Sequence, residues 1–153
     1  MKHCDKARAN FMRGYNCAQA TAAAFASDLD IEVATILKMT AGFGGGMGGL
    51  RETCGAVSAI VFVAGLHAES YAPGDRAAKK ALYDLVKRMV REFLERHGSI
   101  CCSDLLKMAS CLPEPEPVQR NAEYYAVRPC AGLVASAAEI VSRNLWGESH
   151  TAG

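Results

Sequence analysis

Apolar side chains at Leu82, Leu85, Val86, Met89, Val90, Phe93 and Leu94 recur at intervals of three and four. Lys79, Lys80, Asp84, Lys87, Arg88, Arg91, Glu92, Glu95 and Arg96 fill the gaps. That spacing lays an apolar stripe along one side of a helix and a charged face along the other. Nowhere does the chain show the period-two alternation of a half-buried strand. Helical periodicity without strand periodicity implies an all-α bundle, its helices packed through their stripes. The 153 residues, half of them apolar, suffice for a single domain over 1–153. A domain of this size buries about two-thirds of the surface its unfolded chain exposes.

Punctuation divides the chain into five to seven helices. Residues 5–12 form a short helix that ends near Gly14. Asn16 caps a second helix over about 17–28, and Asp30 caps a third over 31–40. Residues 42–49, glycine except for Phe43 and Met47, are too glycine-rich to stay regular. Glu52 or Thr53 opens a fourth helix that runs through Ala64. It is apolar on every side and is therefore expected to be the buried central helix. The amphipathic helix covers about 75–97 and stops at Gly98. A short helix follows Ser103 or Asp104, and Pro-Glu-Pro-Glu-Pro at 113–117 reads as an exposed extended connector. Pro129 opens a last helix with Leu133, Val134, Ala137, Ile140, Val141 and Leu145 on one stripe.

Several function classes fall away. Lys and Arg number 17 against 16 acids, a net charge of +1, without the basic excess of a nucleic-acid binder. The longest apolar run, 56–68, is interrupted by Ser58, Gly65 and His67, and falls short of the roughly 20 residues of a membrane span. The opening residues have no apolar h-region, so no signal peptide is expected and a cytoplasmic location is. No Ser/His/Asp arrangement can be read from spacing. His67 reads as a buried, hydrogen-bonded ring, His97 as a helix C-terminal residue favoured by the dipole, and His3 and His150 as members of mobile termini.

Cysteine is the anomaly. The seven cysteines are an odd number, which argues against a disulfide framework. Cys17 follows the cap Asn16, Cys54 follows Glu52-Thr53, Cys101 and Cys102 precede Ser103-Asp104, and Cys130 follows Pro129. Each position lies at or beside a predicted helix N-terminus, where unpaired N–H groups and the helix dipole lower a thiol pKa. No C-x-x-C pair exists, so a local zinc knuckle and a thioredoxin-type motif are both absent. Any shared site must be assembled by the fold. The simpler alternative is buried thiols that pack as small hydrophobes.

The glycine stretch 44–49 satisfies G-x-G-x-x-G. It has no strand before it, no βαβ unit around it and no G-K-[ST] after it, so no nucleotide is expected. It is either a tightly turning connector or, since Cys54 follows so closely, a wrap around an anionic thiolate site. In the second case Gly44, Gly45, Gly46, Met47 and Gly48 bring backbone N–H groups to the bound group. Phe43 and Met47 then either cover one side of the site or anchor the loop.

Gly-Tyr-Asn-Cys-Ala-Gln-Ala at 14–20, Ala-Gly-Phe-Gly-Gly-Gly-Met-Gly at 41–48 and Glu-Thr-Cys-Gly-Ala-Val-Ser at 52–58 resemble the signature of the C_GCAxxG_C_C family. Gly-Ser-Ile-Cys-Cys-Ser-Asp-Leu-Leu at 98–106 and Pro129-Cys130 resemble its later cysteine blocks. The likeness covers about 14–140. It implies redox activity carried by four shared cysteines, which fall on Cys17, Cys54, Cys102 and Cys130. Cys102 is taken over Cys101 for its spacing from Leu105-Leu106. Ala59 stands where the family has a second signature glycine, and Cys4, Cys101 and Cys111 are additions.

Three functions are open at this point. Four thiolates suit an iron–sulfur cluster for electron transfer, or zinc as its redox-silent counterpart. The same four thiols, cycling in pairs, suit a thiol–disulfide couple or sensor. Packed cysteines in a non-catalytic interaction module are the remaining case. A redox partner protein is implied by the first two, a homodimer is compatible with the apolar helical surface, and whether the chain is an enzyme is left open.

Overall fold

The computed structural model describes residues 1–69, 72–111 and 117–147. Among them nine α-helices and no strand occur: α1 His3–Met12, α2 Cys17–Ala23, α3 Ala26–Leu29, α4 Val33–Thr40, α5 Gly55–His67, α6 Arg76–His97, α7 Cys102–Met108, α8 Ala122–Val127 and α9 Cys130–Trp146. The all-α expectation holds, with more and shorter helices than the punctuation suggested. The expected connector lies outside the described residues apart from Pro117, as does His150. No helix among the described residues is long and apolar enough to cross a membrane.

Side-chain caps set the starts of α2, α6 and α8. Asn16 accepts from the Gln19 amide at 2.9 Å while the Gln19 side chain accepts from the Asn16 amide at 3.1 Å, a reciprocal capping box. Asp75 caps α6 by accepting from Ala78 N, and Gly98 ends it at φ +83°. Asp30 is not a cap. It closes α3 in the left-handed conformation, and Glu32 precedes α4. The expected helix over 17–28 is interrupted, because Ala24 and Phe25 donate to Thr21 and Ala22, three residues back. That tightening turns the Phe25 ring into the core, stacked 4.3 Å from His3 and 5.4 Å from Trp146. The sequence reading had no α8, whose cap is Asn121, accepting from Tyr124 N.

α2, α5 and α9 form the centre, each packed against the other two, with α1 over α2 and α9 and α6 along α5 and α9. Burying their stripes against one another removes Ile60, Val63, Val134, Ile140, Val141, Met89 and Phe93 from water, each contributing about 1.5–3 kcal/mol of transfer free energy. α5 is central but not enclosed, since Val61 is 44% and Leu66 37% exposed. Leu94, expected on the buried stripe of α6, is also exposed. Ala59 is buried in the core cluster, so its methyl is accommodated there.

Candidate functional site

Four helices begin at one cavity. Cys17 is the first residue of α2, Cys102 of α7 and Cys130 of α9, and Cys54 is the residue on which α5 starts. All four line a cavity of about 510 Å³. Cys101 does not line it. Its sulfur is 3.4 Å from the Arg51 carbonyl and 3.2 Å from Ser103 Oγ, so of the adjacent pair Cys102 is the one at the cavity. Cys111 is buried elsewhere, its thiol donating to the Val127 carbonyl at 3.1 Å, and all seven cysteines are free thiols.

Backbone pairing and missing Cβ atoms bring these starts together. Residues 51–54 run antiparallel to 100–103: Cys54 N donates to Ile100 O, Cys102 N to Glu52 O and Ser103 N to Arg51 O. Gly55 lets α5 approach α2, because a Cβ there would lie 3.0 Å from Ala18 N and 3.1 Å from the Cys17 Cβ. Gly46 does the same for Cys102, whose Cβ a side chain would meet at 2.6 Å. Gly44 packs on the Asn16 side chain, which also donates to Ala41 O at 3.0 Å.

The glycine loop forms one wall of the cavity. Its amides from Met47 to Glu52 are satisfied by loop carbonyls from Gly42 to Met47, so they are not offered to a bound anion. Gly44, Gly45, Gly46 and Gly48 line the cavity, but Met47 does not, and it is 45% exposed. Phe43 is likewise turned outward and does not line it.

Positive charge reaches the thiols from Arg51, Arg120 and Arg128, none of which the sequence reading singled out. Arg51 Nη1 donates to Cys102 Sγ at 3.7 Å. Arg120 donates to the Phe11 and Tyr15 carbonyls at 3.2 and 2.9 Å and lies 4.5 Å over the Phe11 ring. Arg128 lies 4.8 Å over the Tyr124 ring. Position was the available signal: Arg51 closes the glycine loop and Arg128 stands two residues before Cys130.

The expectation of four acidified thiols is corrected. Cys17 and Cys130 share a side-chain hydrogen bond. The Cys17 thiol donates it, which with burial holds Cys17 well above the ordinary thiol range. Accepting that bond holds Cys130 below the range against the opposing effect of burial, with Arg128, Arg120 and Arg51 adding to the lowering. Burial pushes Cys54 up to about 12, outweighing the Ala56 and Val57 amides at the start of α5. Burial also raises Cys102, opposed by Arg51. Desolvation thus overrides the helix N-terminus at Cys54 and Cys102, and at Cys17 it adds to the hydrogen bond with Cys130.

His3, His67 and His97 do not line the cavity. His3, expected in a mobile end, is buried: Nε2 donates to Asp28 at 2.8 Å and Nδ1 is 2.9 Å from Ser142 Oγ. His67 is exposed rather than buried and sits edge-on to Trp146 at 4.8 Å. His97 closes α6 with Nε2 2.7 Å from Ser136 Oγ, and burial beside Arg96 lowers its pKa, which favours the neutral ring over a cation on the dipole.

Four thiols are a chemically suitable donor set for a cluster or zinc, yet no group of three or more His, Cys, Asp or Glu side chains among the described residues is gathered closely enough to hold a metal ion. The four thiols share one cavity, and the interaction between the Cys17 and Cys130 thiols raises the first and lowers the second.

No curated protein and no solved structure matches the chain. A family model does: the one described as "Putative redox-active protein (C_GCAxxG_C_C)" matches residues 15–144, from the residue before the Asn16 cap to the last turn of α9. The chain belongs to the C_GCAxxG_C_C family.

Proposed function

We propose that the chain is a thiol–disulfide redox protein of a reducing, cytoplasmic compartment, with Cys17 and Cys130 as its reacting couple. The observation that supports this reading is that Cys17 and Cys130, the first residues of α2 and α9, stand on the wall of one cavity with their thiols interacting and with Arg51, Arg120 and Arg128 beside Cys130. Cys130 is the nucleophile, since only a thiolate attacks a disulfide, and it is the thiol whose ionised form is favoured. Its sulfur bonds to one sulfur of the incoming disulfide and expels the other as a thiolate. Cys17 then attacks Cys130, expelling the second thiolate. The protein loses two electrons and two protons and gains one intramolecular disulfide. Cys54, protonated up to a pH of about 12, does not compete.

The test is limited oxidation of reduced protein followed by peptide mapping. A Cys17–Cys130 linked peptide that reverts with dithiothreitol is expected, and its loss is expected in Cys17→Ala and Cys130→Ala. A different pairing, or no reversible oxidation, refutes the couple.

The convergence of four thiols on one cavity favours a second reading, a cluster or zinc site, which would require the thiols to draw closer than they stand. It is tested by iron, zinc and acid-labile sulfide content after anaerobic purification without a metal-binding tag. Stoichiometric iron and sulfide, lost when any of the four is substituted, would replace the disulfide reading with electron transfer. Zinc held by the same four would make the site structural.

A further inference from the structure

The walls of the thiol cavity are not held alike. Cys54, Leu105 and Leu133 are members of the core cluster and Cys17 packs against it. Arg51 and Cys102 lie in the backbone pairing of 51–54 with 100–103. A further wall, the strap over 117–128, presents Pro117, Val118, Arg120, Tyr124 and Arg128 to the cavity and leads through Pro129 into Cys130. None of residues 117–127 is buried, and Val118 and Val127 are 45% and 56% exposed. The helix within it, α8, has six residues, too few to be stable without its neighbours. A segment with so little buried apolar surface opens at a far lower cost than helices built into the core.

The ties of the strap reach fixed parts of the fold. At one end the Cys111 thiol donates to the Val127 carbonyl at 3.1 Å. At the other, Arg120 donates to the Phe11 and Tyr15 carbonyls at 3.2 and 2.9 Å, its guanidinium 4.5 Å over the Phe11 ring. Those carbonyls stand at the C-terminal end of α1, where the helix dipole favours a cation. Tyr125 meets the same buried Phe11 ring edge-on at 5.9 Å. Arg120 and Tyr125 thus fasten the strap to one anchored side chain and the helix end that carries it.

We propose that residues 117–128 form a strap that gates the thiol cavity, latched by Arg120 to the C-terminal end of α1, and that bulky reactants reach Cys130 only when the latch opens. The proposal rests on the thiol–disulfide reading above and adds the control of access to that couple. Small reactants enter with the strap closed, and a disulfide carried on a larger molecule waits for it to open. Arg120 is a positioning residue in this device, because it acts on access through the strap.

The experiment alkylates the reduced full chain with two neutral maleimides, N-ethylmaleimide (small) and N-(1-pyrenyl)maleimide (bulky), and reads the rate at Cys130 by peptide mapping. Each rate is divided by that of free 2-mercaptoethanol with the same reagent, and the ratio of bulky to small is the readout. The ratio cancels any change in the ionisation of Cys130, on which Arg120 also acts. The bulky reagent is expected to lag by about tenfold or more in the wild type and to recover about tenfold in Arg120→Gln, the factor that follows from losing one hydrogen bond to a charged group. Arg120→Lys, which keeps the charge without the planar fork, restores part of the lag. Tyr125→Ala loosens the strap from Phe11 while leaving Arg120 in place; it shrinks the lag as well, and decides if Arg120→Gln does not fold. A wild-type ratio equal to that of the free thiol, or ratios unmoved in the folded variants, overturns the gate. Either result leaves the couple standing, because alkylation forms no disulfide. Absence of the Cys17–Cys130 linked peptide would overturn the couple and leave these ratios unchanged.

Discussion

Gly46→Ala separates the two reasons for which the loop needs glycine. Gly46 and Gly49 both hold left-handed backbone, at φ +68° and +78°. They differ in surroundings. A Cβ on Gly49 would meet nothing within 4 Å, whereas one on Gly46 would lie 2.6 Å from the Cys102 Cβ, 2.7 Å from Glu52 N and 2.8 Å from the Arg51 Cα. Gly49→Ala therefore costs the left-handed conformation alone, about 1–2 kcal/mol. Gly46→Ala adds the cost of overpacking, about 1–3 kcal/mol, because the atoms it strikes belong to backbone held by the 51–54 to 100–103 pairing and cannot swing aside. The sum, about 2–5 kcal/mol, is a large part of the 5–15 kcal/mol that typically separates folded from unfolded chains. Urea unfolding at neutral pH under reducing conditions measures both variants, with an unchanged slope required for the comparison. Cys102 in folded Gly46→Ala should also alkylate faster than in wild type, having lost its wall. Equal destabilisation of the two variants, within about 0.5 kcal/mol, the usual scatter of a change without a specific mechanism, would refute the argument that the loop is packed against the thiol.

Four further outcomes are expected. Cys54 has its folded-state pKa raised from 9.0 to about 12, so the stability it confers is present below pH 9 and lost as pH rises. Unfolding free energy should fall by up to about 1.4 kcal/mol per pH unit across that window, and Cys54→Ala should remove this component of the slope in denaturant titrations. Cys130 should remain reactive to iodoacetamide at pH values where Cys54 is silent, and Cys17→Ala should move its alkylation profile to higher pH; an unmoved profile would contradict the hydrogen-bonded couple. Asn16→Ala, which removes the capping box and the contact to Ala41 O, should lower stability by about 1–2 kcal/mol in chemical denaturation. His3→Ala removes a buried ring bonded at both nitrogens and stacked on Phe25, and should cost about 3 kcal/mol in the same assay.

Local chemistry was legible where it is local. The Asn16 cap, the Asp75–Gly98 limits of α6 and the helix starts beside Cys17, Cys102 and Cys130 follow from residues within a few positions of one another. The buried heart of α5 followed from composition, although its apolar far side at Val61 and Leu66 did not end up covered. What the sequence did not yield depends on partners distant in the chain. His3 meets Ser142, Arg120 meets the carbonyls of Phe11 and Tyr15, and Phe25 breaks a helix because His3 and Trp146 receive its ring. The acidity of the thiols failed for a related reason. A helix start can be read from sequence, but the burial that outweighs it depends on what packs above it, and only Cys130 combines the cationic arginines with a thiol donor.

The couple at the starts of α2 and α9 joins the two ends of the domain. A bond between Cys17 and Cys130 would close a loop of roughly a hundred residues, which in the chain-entropy model removes about 4.7 kcal/mol of freedom from the unfolded chain. Helices α2 to α8 lie inside that loop, while α1 and all of α9 beyond Cys130 lie outside it. Oxidation would therefore tether the chain from α2 to the start of α9, and the redox state of one pair of sulfurs would become a property of the entire molecule: a ligated ring that resists unfolding and proteolysis when oxidised, and an open chain of ordinary marginal stability when reduced.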